Sequence, residues 1–113
     1  MVNKTIKIQN NSYVLKYPTV GQFIDIKVLE QQLSKGTMKD FLTAGLYDDV
    51  DAYLAIKTVA HIQVLIPSIN KDLKTESLLD IQFDDFQELI SIFNDEIFPW
   101  LEEWKKNFKK KED

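Results

Sequence analysis

The chain contains no cysteine and no arginine, and only three glycines and three prolines in 113 residues. Without cysteine there are no disulfides, thiol nucleophiles or cysteine-ligated metals. Without arginine the basic side chains are all lysine, which lacks the planar fork suited to phosphate and base edges. A net charge of −4 points the same way, so nucleic acid is not an expected partner. The abundance of isoleucine, lysine and asparagine also fits AT-rich coding DNA, a separate source of the missing arginine. Isolated Gly21, Gly36 and Gly45 make no phosphate-binding loop, dinucleotide fingerprint or nucleophile elbow. No apolar run approaches the ~20 residues of a membrane span. The first residues, Met1 to Ile6, lack the apolar stretch and cleavage site of a signal peptide. Together these absences predict a cytoplasmic protein with no membrane association and no cofactor.

What is present is concentrated at the end of the chain. Trp100, Trp104 and Phe108 recur every four residues and form one aromatic stripe on a helix, which runs on into Lys109, Lys110 and Lys111. Both tryptophans of the protein lie on this stripe. They either close a core or anchor a partner, since tryptophan is enriched in binding hot spots. Trp100, Trp104, Phe108, Lys105 and Lys109 are therefore the candidate partner-binding residues. Charge is also uneven. Residues 1–104 hold nine lysines against sixteen acids, a balance of −7, and residues 105–113 hold five lysines against two acids, +3. The basic end could dock an acidic surface, or simply complement the negative pole of a helix dipole.

One domain of mainly α (α+β) class is expected: an N-terminal β-hairpin over 4–17, a compact bundle of four to five helices over 19–108, and a charged tail over 109–113. In the hairpin, Ile6 and Ile8 alternate with polar residues, Asn10-Asn11 forms the turn, and Tyr13, Leu15 and Tyr17 alternate again. Thr19 and Gln22 have capping-box spacing. Val20, Phe23, Ile24, Val28, Leu29 and Leu33 then follow a helical period that ends before Gly36. A short helix carries Met38, Phe41 and Leu42 and closes at Gly45. The longest helix spans about 49–66. Asp48, Asp49 and Asp51 sit at its start, where negative charge is favourable, and apolar residues cover most of its circumference, which makes it central. A polar connection over 67–76 and a turn at Ser77–Asp80 lead to a helix from about Asp84, with Gln87 in capping-box position. It carries Phe86, Leu89, Ile90, Phe93 and Ile97. Pro99 then kinks that helix or restarts it as a first residue.

Candidates for chemistry are few. His61, the only histidine, lies inside the central helix with Lys57 and Leu65, not an acid, one turn away. It reads as a buried or helix-face residue rather than a general base or metal ligand. Asp48, Asp49 and Asp51 lack the further ligands of a calcium loop. Asp80, Asp84, Asp85, Glu88, Asp95 and Glu96 are read as caps, first-turn residues and solvated faces. Paired carboxylates of a glycosidase need a cleft that a small helical domain has little room to build. No catalytic residue, metal ligand or cofactor is assigned, and an enzyme is not expected.

The layout resembles small assembly proteins of tailed bacteriophages, in particular the tail assembly chaperone type. The likeness rests on Tyr17-Pro18-Thr19-Val20-Gly21-Gln22-Phe23 entering a helix and Leu33-Ser34-Lys35-Gly36 leaving it. It continues with Leu65-Ile66-Pro67 ending the central helix and Phe98-Pro99-Trp100-Leu101-Glu102-Glu103-Trp104 closing the chain. The resemblance implies a non-enzymatic, chaperone-like role: binding a tail or virion protein in the host cytoplasm during assembly. The partner would be a phage structural protein or a second copy of the chain. The alternatives are a permanent small virion component, or a cellular adaptor or toxin-system partner.

Overall fold

A computed structural model describes residues 2–36, 45–47 and 50–103; side chains are described outside 45–51. The expected helix around Met38, Phe41 and Leu42, the residues Asp48 and Asp49, and Trp104, Lys105, Phe108 and Lys109 lie outside the described residues.

The N-terminal hairpin pairs β1 (Lys4–Ile8) with β2 (Asn11–Leu15), antiparallel, in the register Ile6↔Tyr13 and Ile8↔Asn11. Its turn is Gln9-Asn10, one residue earlier than the sequence suggested, and Gln9 takes the positive φ of 53°. The register is fixed by burial: it puts Ile6, Ile8 and Leu15 on the inward face, and a one-residue slip would turn them to solvent. The Tyr13 hydroxyl donates to Asp72 Oδ2 at 2.7 Å and ties the hairpin to the middle of the chain. Burial, then the hydrogen bond and charge of Asp72, push the Tyr13 phenol up to about 12.

Helix α1 (Val20–Ser34) begins with the predicted capping box. Thr19 Oγ1 accepts from Gln22 N–H at 3.1 Å, and Gln22 Oε1 accepts from Thr19 N–H at 3.0 Å. It ends with Lys35 and Gly36 in left-handed conformation (φ 55° and 78°), their amides turned back to Gln32 and Gln31 carbonyls.

The start of the central helix departs from expectation. Strand β3 (Gly45–Tyr47) pairs antiparallel with β4 (Val50–Asp51), so α2 (Ala52–Leu65) begins only after the acidic cluster. Asp51 is a strand residue paired with Gly45, not a first-turn residue. Tyr47 and Val50 favour extended backbone, and strand pairing outweighs the gain from acids at a helix start. With its start displaced, α2 is 14 residues long and not the longest helix, since α1 has 15; it is central as expected, with Ala55, Ile56, Thr58, Val59, Ala60, His61 and Ile62 all buried. The buried Thr58 hydroxyl bonds back to Leu54 O at 2.8 Å, which removes the cost of an unpaired polar group.

The polar connection contains a single helical turn, α3 (Ile69–Asp72), anchored by fully buried Ile69, and a 3₁₀ turn follows at Leu78–Asp80. Helix α4 (Phe83–Ile92) starts one residue before the expected cap. Gln82 is the N-cap and makes no side-chain capping bond, while Asp84 and Asp85 occupy the first turn. Pro99 does not restart the helix as a first residue. A π-helical segment, Phe93–Ile97, follows α4, and residues 98–103 continue as α-helix. A proline ring collides with the carbonyl four residues back. Here the widened turn absorbs that clash, with the Phe98 amide reaching Phe93 O, five residues behind.

The core joins the hairpin (Ile6, Ile8, Leu15), α2 (Val59, Ile62), Ile69, Leu78, α4 (Leu89, Ile90) and the C-terminal helix (Phe93, Ile97, Trp100, Leu101). Thus an N-terminal hairpin followed by about four helices is the fold. Helix α1 stands apart: its buried stripe is Ile26, Glu30 and Ser34, and only half-buried Leu33 packs on the common core. The expected apolar face of α1 is mostly turned outward, with Val20 77% exposed, Ile24 57%, Val28 49% and Phe23 38%.

Candidate functional site

Helix α1 lies against α2 without closing the space beside the C-terminal helix. A cleft of about 590 Å³ remains, lined by Tyr17, Phe23 and Ile26 on one side and by Lys57, His61, Phe98 and Leu101 on the other. Lys27 and Glu102 also line it. Such a volume is in the range of small-ligand pockets, or of one or two side chains of a bound segment.

The aromatic wall follows from local sequence. β2 ends at Leu15 and Pro18 keeps the ladder from resuming, so Tyr17 lies in the short connection to the Thr19 cap of α1. The Tyr17 ring meets Phe23 edge-on at 6.1 Å and Trp100 edge-on at 5.3 Å, and its hydroxyl donates to Leu101 O at 2.7 Å. Burial, and then the charge of Glu102, raise the Tyr17 phenol above its usual value. Trp100 is 7% exposed, and its indole N–H donates to Val2 O at 2.7 Å, pinning the start of the chain to its last described helix. Of the five residues predicted to bind a partner, Trp100 is therefore a core residue that supports the cleft from behind. Trp104, Lys105, Phe108 and Lys109 lie outside the described residues, so the stripe as a docking surface would rest on them.

His61 has surroundings that a reading along α2 alone did not find. Its Nδ1 is 2.7 Å from Lys57 O. A carbonyl only accepts, so Nδ1 carries the proton and Nε2 keeps a lone pair. The ring packs against Phe93 with centroids 4.8 Å apart. Burial pushes the imidazole below its usual pKa; the Lys57 carbonyl and the Glu30 carboxylate pull it back, and the Lys57 and Lys27 ammoniums oppose them. The acid missing from positions 57 and 65 thus comes from another helix.

Glu30 is 4% exposed, yet among the described residues its ion pair is with Lys27 alone, at 3.4 Å, whose side chain is 74% exposed. Its second oxygen, Oε2, is buried with no hydrogen-bond partner among the described residues. Lys57 Nζ lies over the rings of Phe98 at 5.1 Å and Tyr53 at 5.6 Å, close enough for cation–π attraction. Two ammoniums, an imidazole and the Glu102 carboxylate therefore sit in an otherwise aromatic and aliphatic cleft.

Among the described residues no serine, threonine or aspartate lines the cleft, and no group of three histidine, aspartate or glutamate side chains could share a metal ion. The geometry offers apolar burial with cationic hydrogen-bond donors, which suits recognition of an apolar group that carries a carboxylate. Tyr17, Phe23, Lys27, Glu30 and Lys57 were not singled out from sequence as site residues. One available signal was the position of Lys57 on an otherwise apolar helix, four residues before the lone histidine.

Comparison with protein-family models, curated proteins and solved structures finds no match to this chain. Among the described residues no helix is long and apolar enough to cross a membrane.

Proposed function

We propose that the protein is a non-enzymatic, chaperone-like binding protein in the assembly of tailed-bacteriophage particles, holding a segment of a tail or virion protein. The observation that carries the binding role is the open cleft, where Tyr17, Phe23, Phe98 and Leu101 surround Lys27, Lys57 and His61. A folded domain usually closes such an aromatic space with its own side chains; one left open buries more apolar surface when a partner enters it. The client segment that fits brings a bulky apolar side chain for the cleft and a neighbouring carboxylate for Lys57. The phage context rests on the resemblance of the chain's layout.

The test is co-expression of the full chain with the individual tail and virion proteins of a source phage, followed by titration of each purified pair. The reading expects reversible binding of one structural protein, weakened about tenfold or more by Lys57→Glu, and absence of the chain from finished particles. Lys57 is half-buried at the cleft, so the folded state of the variant is checked by circular dichroism. Fixed stoichiometry in purified particles would favour the permanent virion component instead. Binding to none of the structural proteins would remove the assembly role.

A further inference from the structure

The hydrogen-bonding groups left unused in the cleft define what can enter it. The Tyr17 hydroxyl is engaged by Leu101 O and the Lys27 ammonium by Glu30. His61 Nδ1 is taken by Lys57 O. Two polar groups on the α2 wall remain. Lys57 Nζ rests on the Phe98 and Tyr53 rings and forms no ion pair among the described residues. His61 Nε2 carries a lone pair that nothing among the described residues donates to. It is not shut in either, because the buried side-chain atoms without a partner among the described residues are Glu30 Oε2 and Asn70 Oδ1. Nε2 therefore opens on the cleft that His61 lines.

We propose that the client enters the cleft end-on, with the last residue of its chain: a bulky apolar side chain fills the cleft, the terminal α-carboxylate meets Lys57 Nζ, and the backbone N–H of that residue donates to His61 Nε2. The inference rests on the client-binding reading above and names the part of the client that is held. The inventories match. A terminal residue presents one backbone donor and one anionic acceptor, and the α2 wall has one free acceptor and one free cationic donor. Lys57 and His61 stand one helical turn apart, with Cβ atoms separated by about 5–6 Å. The amide nitrogen and carboxylate of a single residue, both bonded to one Cα, can therefore reach the two together. Burial pushes the His61 imidazole below its usual pKa, so Nε2 stays an acceptor at neutral pH.

An internal acidic residue matches less well. A chain that threads the cleft brings an N–H and a C=O from each residue it buries, and every one left without a partner costs free energy. Among the described residues the lining offers no serine, threonine or aspartate to meet them. An acidic run is worse still. Glu102 lines the same cleft, and its charge already raises the Tyr17 phenol, so each further carboxylate adds repulsion. A chain end brings one negative charge, beside Lys57, and buries the backbone of one residue.

The probe is a short acetylated peptide of glycine and serine ending in leucine–phenylalanine, made with a free C-terminal carboxylate and as the C-terminal amide. A third peptide carries an aspartate before the final phenylalanine and ends in the amide. Each is titrated into the full chain to about millimolar concentration and followed by NMR. The free acid is expected to shift the resonances of Lys57, His61 and Phe98 and to bind about tenfold or more tighter than either amide. Lys57→Met, with its fold checked by circular dichroism, should bring acid and amide to within about twofold of each other. Equal binding of acid and amide, equal binding of the aspartate peptide, or no binding of the acid overturns the proposal. Removing the last residue of a client found by co-expression should likewise weaken its binding about tenfold or more. A client held as tightly without that residue overturns end-on entry and leaves the client reading standing. Acid-selective peptide binding with no structural-protein client supports end-on entry and removes the assembly role, so the two readings fail separately.

Discussion

Helices α1 and α4 obey the same sequence rule, and the structure treats them oppositely. Each repeats apolar residues at three- and four-residue intervals. In α4 the repeat marks the core: Phe86, Leu89, Ile90 and Ile92 are all buried. In α1 the repeat Val20, Phe23, Ile24, Val28 lies largely outside, and the buried stripe is Ile26, Glu30 and Ser34. A period identifies a helix with a sided surface. Which side faces inward depends on what else competes for the core, and α2 with the C-terminal helix already fills it. Helix α1 is left with a carboxylate inside and valines outside, a local conflict of the kind natural proteins keep where function needs it.

The comparison can be broken first at its buried end. Leu89→Ala and Trp100→Ala remove fully packed side chains and are expected to cost about 2–5 kcal/mol each. That is a large part of the ~5–15 kcal/mol that holds a small domain folded. Urea unfolding measures both, and a loss under about 1 kcal/mol for either would mean the core is not centred there. The buried end of α1 should respond in the other direction. Glu30→Met removes a carboxylate with one unpaired oxygen and fills the same space, so it is expected to stabilise by roughly 1 kcal/mol. A net loss in the same assay would show that Glu30 is held by more than Lys27.

The neighbour of Glu30 gives a pH-dependent version of the same test. Because His61 is depressed in the folded state, the unfolded chain takes up its proton first, near pH ~6.5. The stability that neutral His61 contributes is fully present above that value and is lost as the pH falls below it towards the folded pKa. Unfolding free energy should therefore fall between about pH 7 and 5, and His61→Phe should flatten that part of the profile. An unchanged slope in the variant would assign the acid sensitivity elsewhere. The smallest effect sharpens the contrast most: Ile24→Ala should alter stability by no more than about 0.5 kcal/mol, against several for Leu89→Ala. A cost above about 1.5 kcal/mol would place Ile24 inside the fold.

The fold was legible where one local signal had no rival. The hairpin alternation around Ile6, Ile8, Tyr13 and Leu15, the capping box of Thr19 and Gln22, and the turn at Ser77–Asp80 all follow from neighbouring residues. Elements failed where two local preferences disagreed. Asp48, Asp49 and Asp51 argued for a helix start, and the pairing of Tyr47 with Val50 prevailed. Pro99 argued for a kink or a restart as first residue; the helix does not restart, and the π-helical segment before it absorbed the clash. Of the five residues expected to bind a partner, Trp100 is buried support, and the other four lie outside the described residues. The cleft itself was not visible, since its walls come from residues 17–27, 57–61 and 98–102.

The sequence by itself determined the class of the protein and most of its elements, because hydrogen bonding, capping and periodicity act over a few residues. It also determined the chemistry absent from the whole chain, such as thiols and guanidinium forks. Only the tertiary structure decided that Glu30 would be buried beside His61, that Lys57 would rest over Phe98, and that the α1 valines would face outward. Burial is settled by competition among all the elements for one core, and no window of a few residues contains that competition.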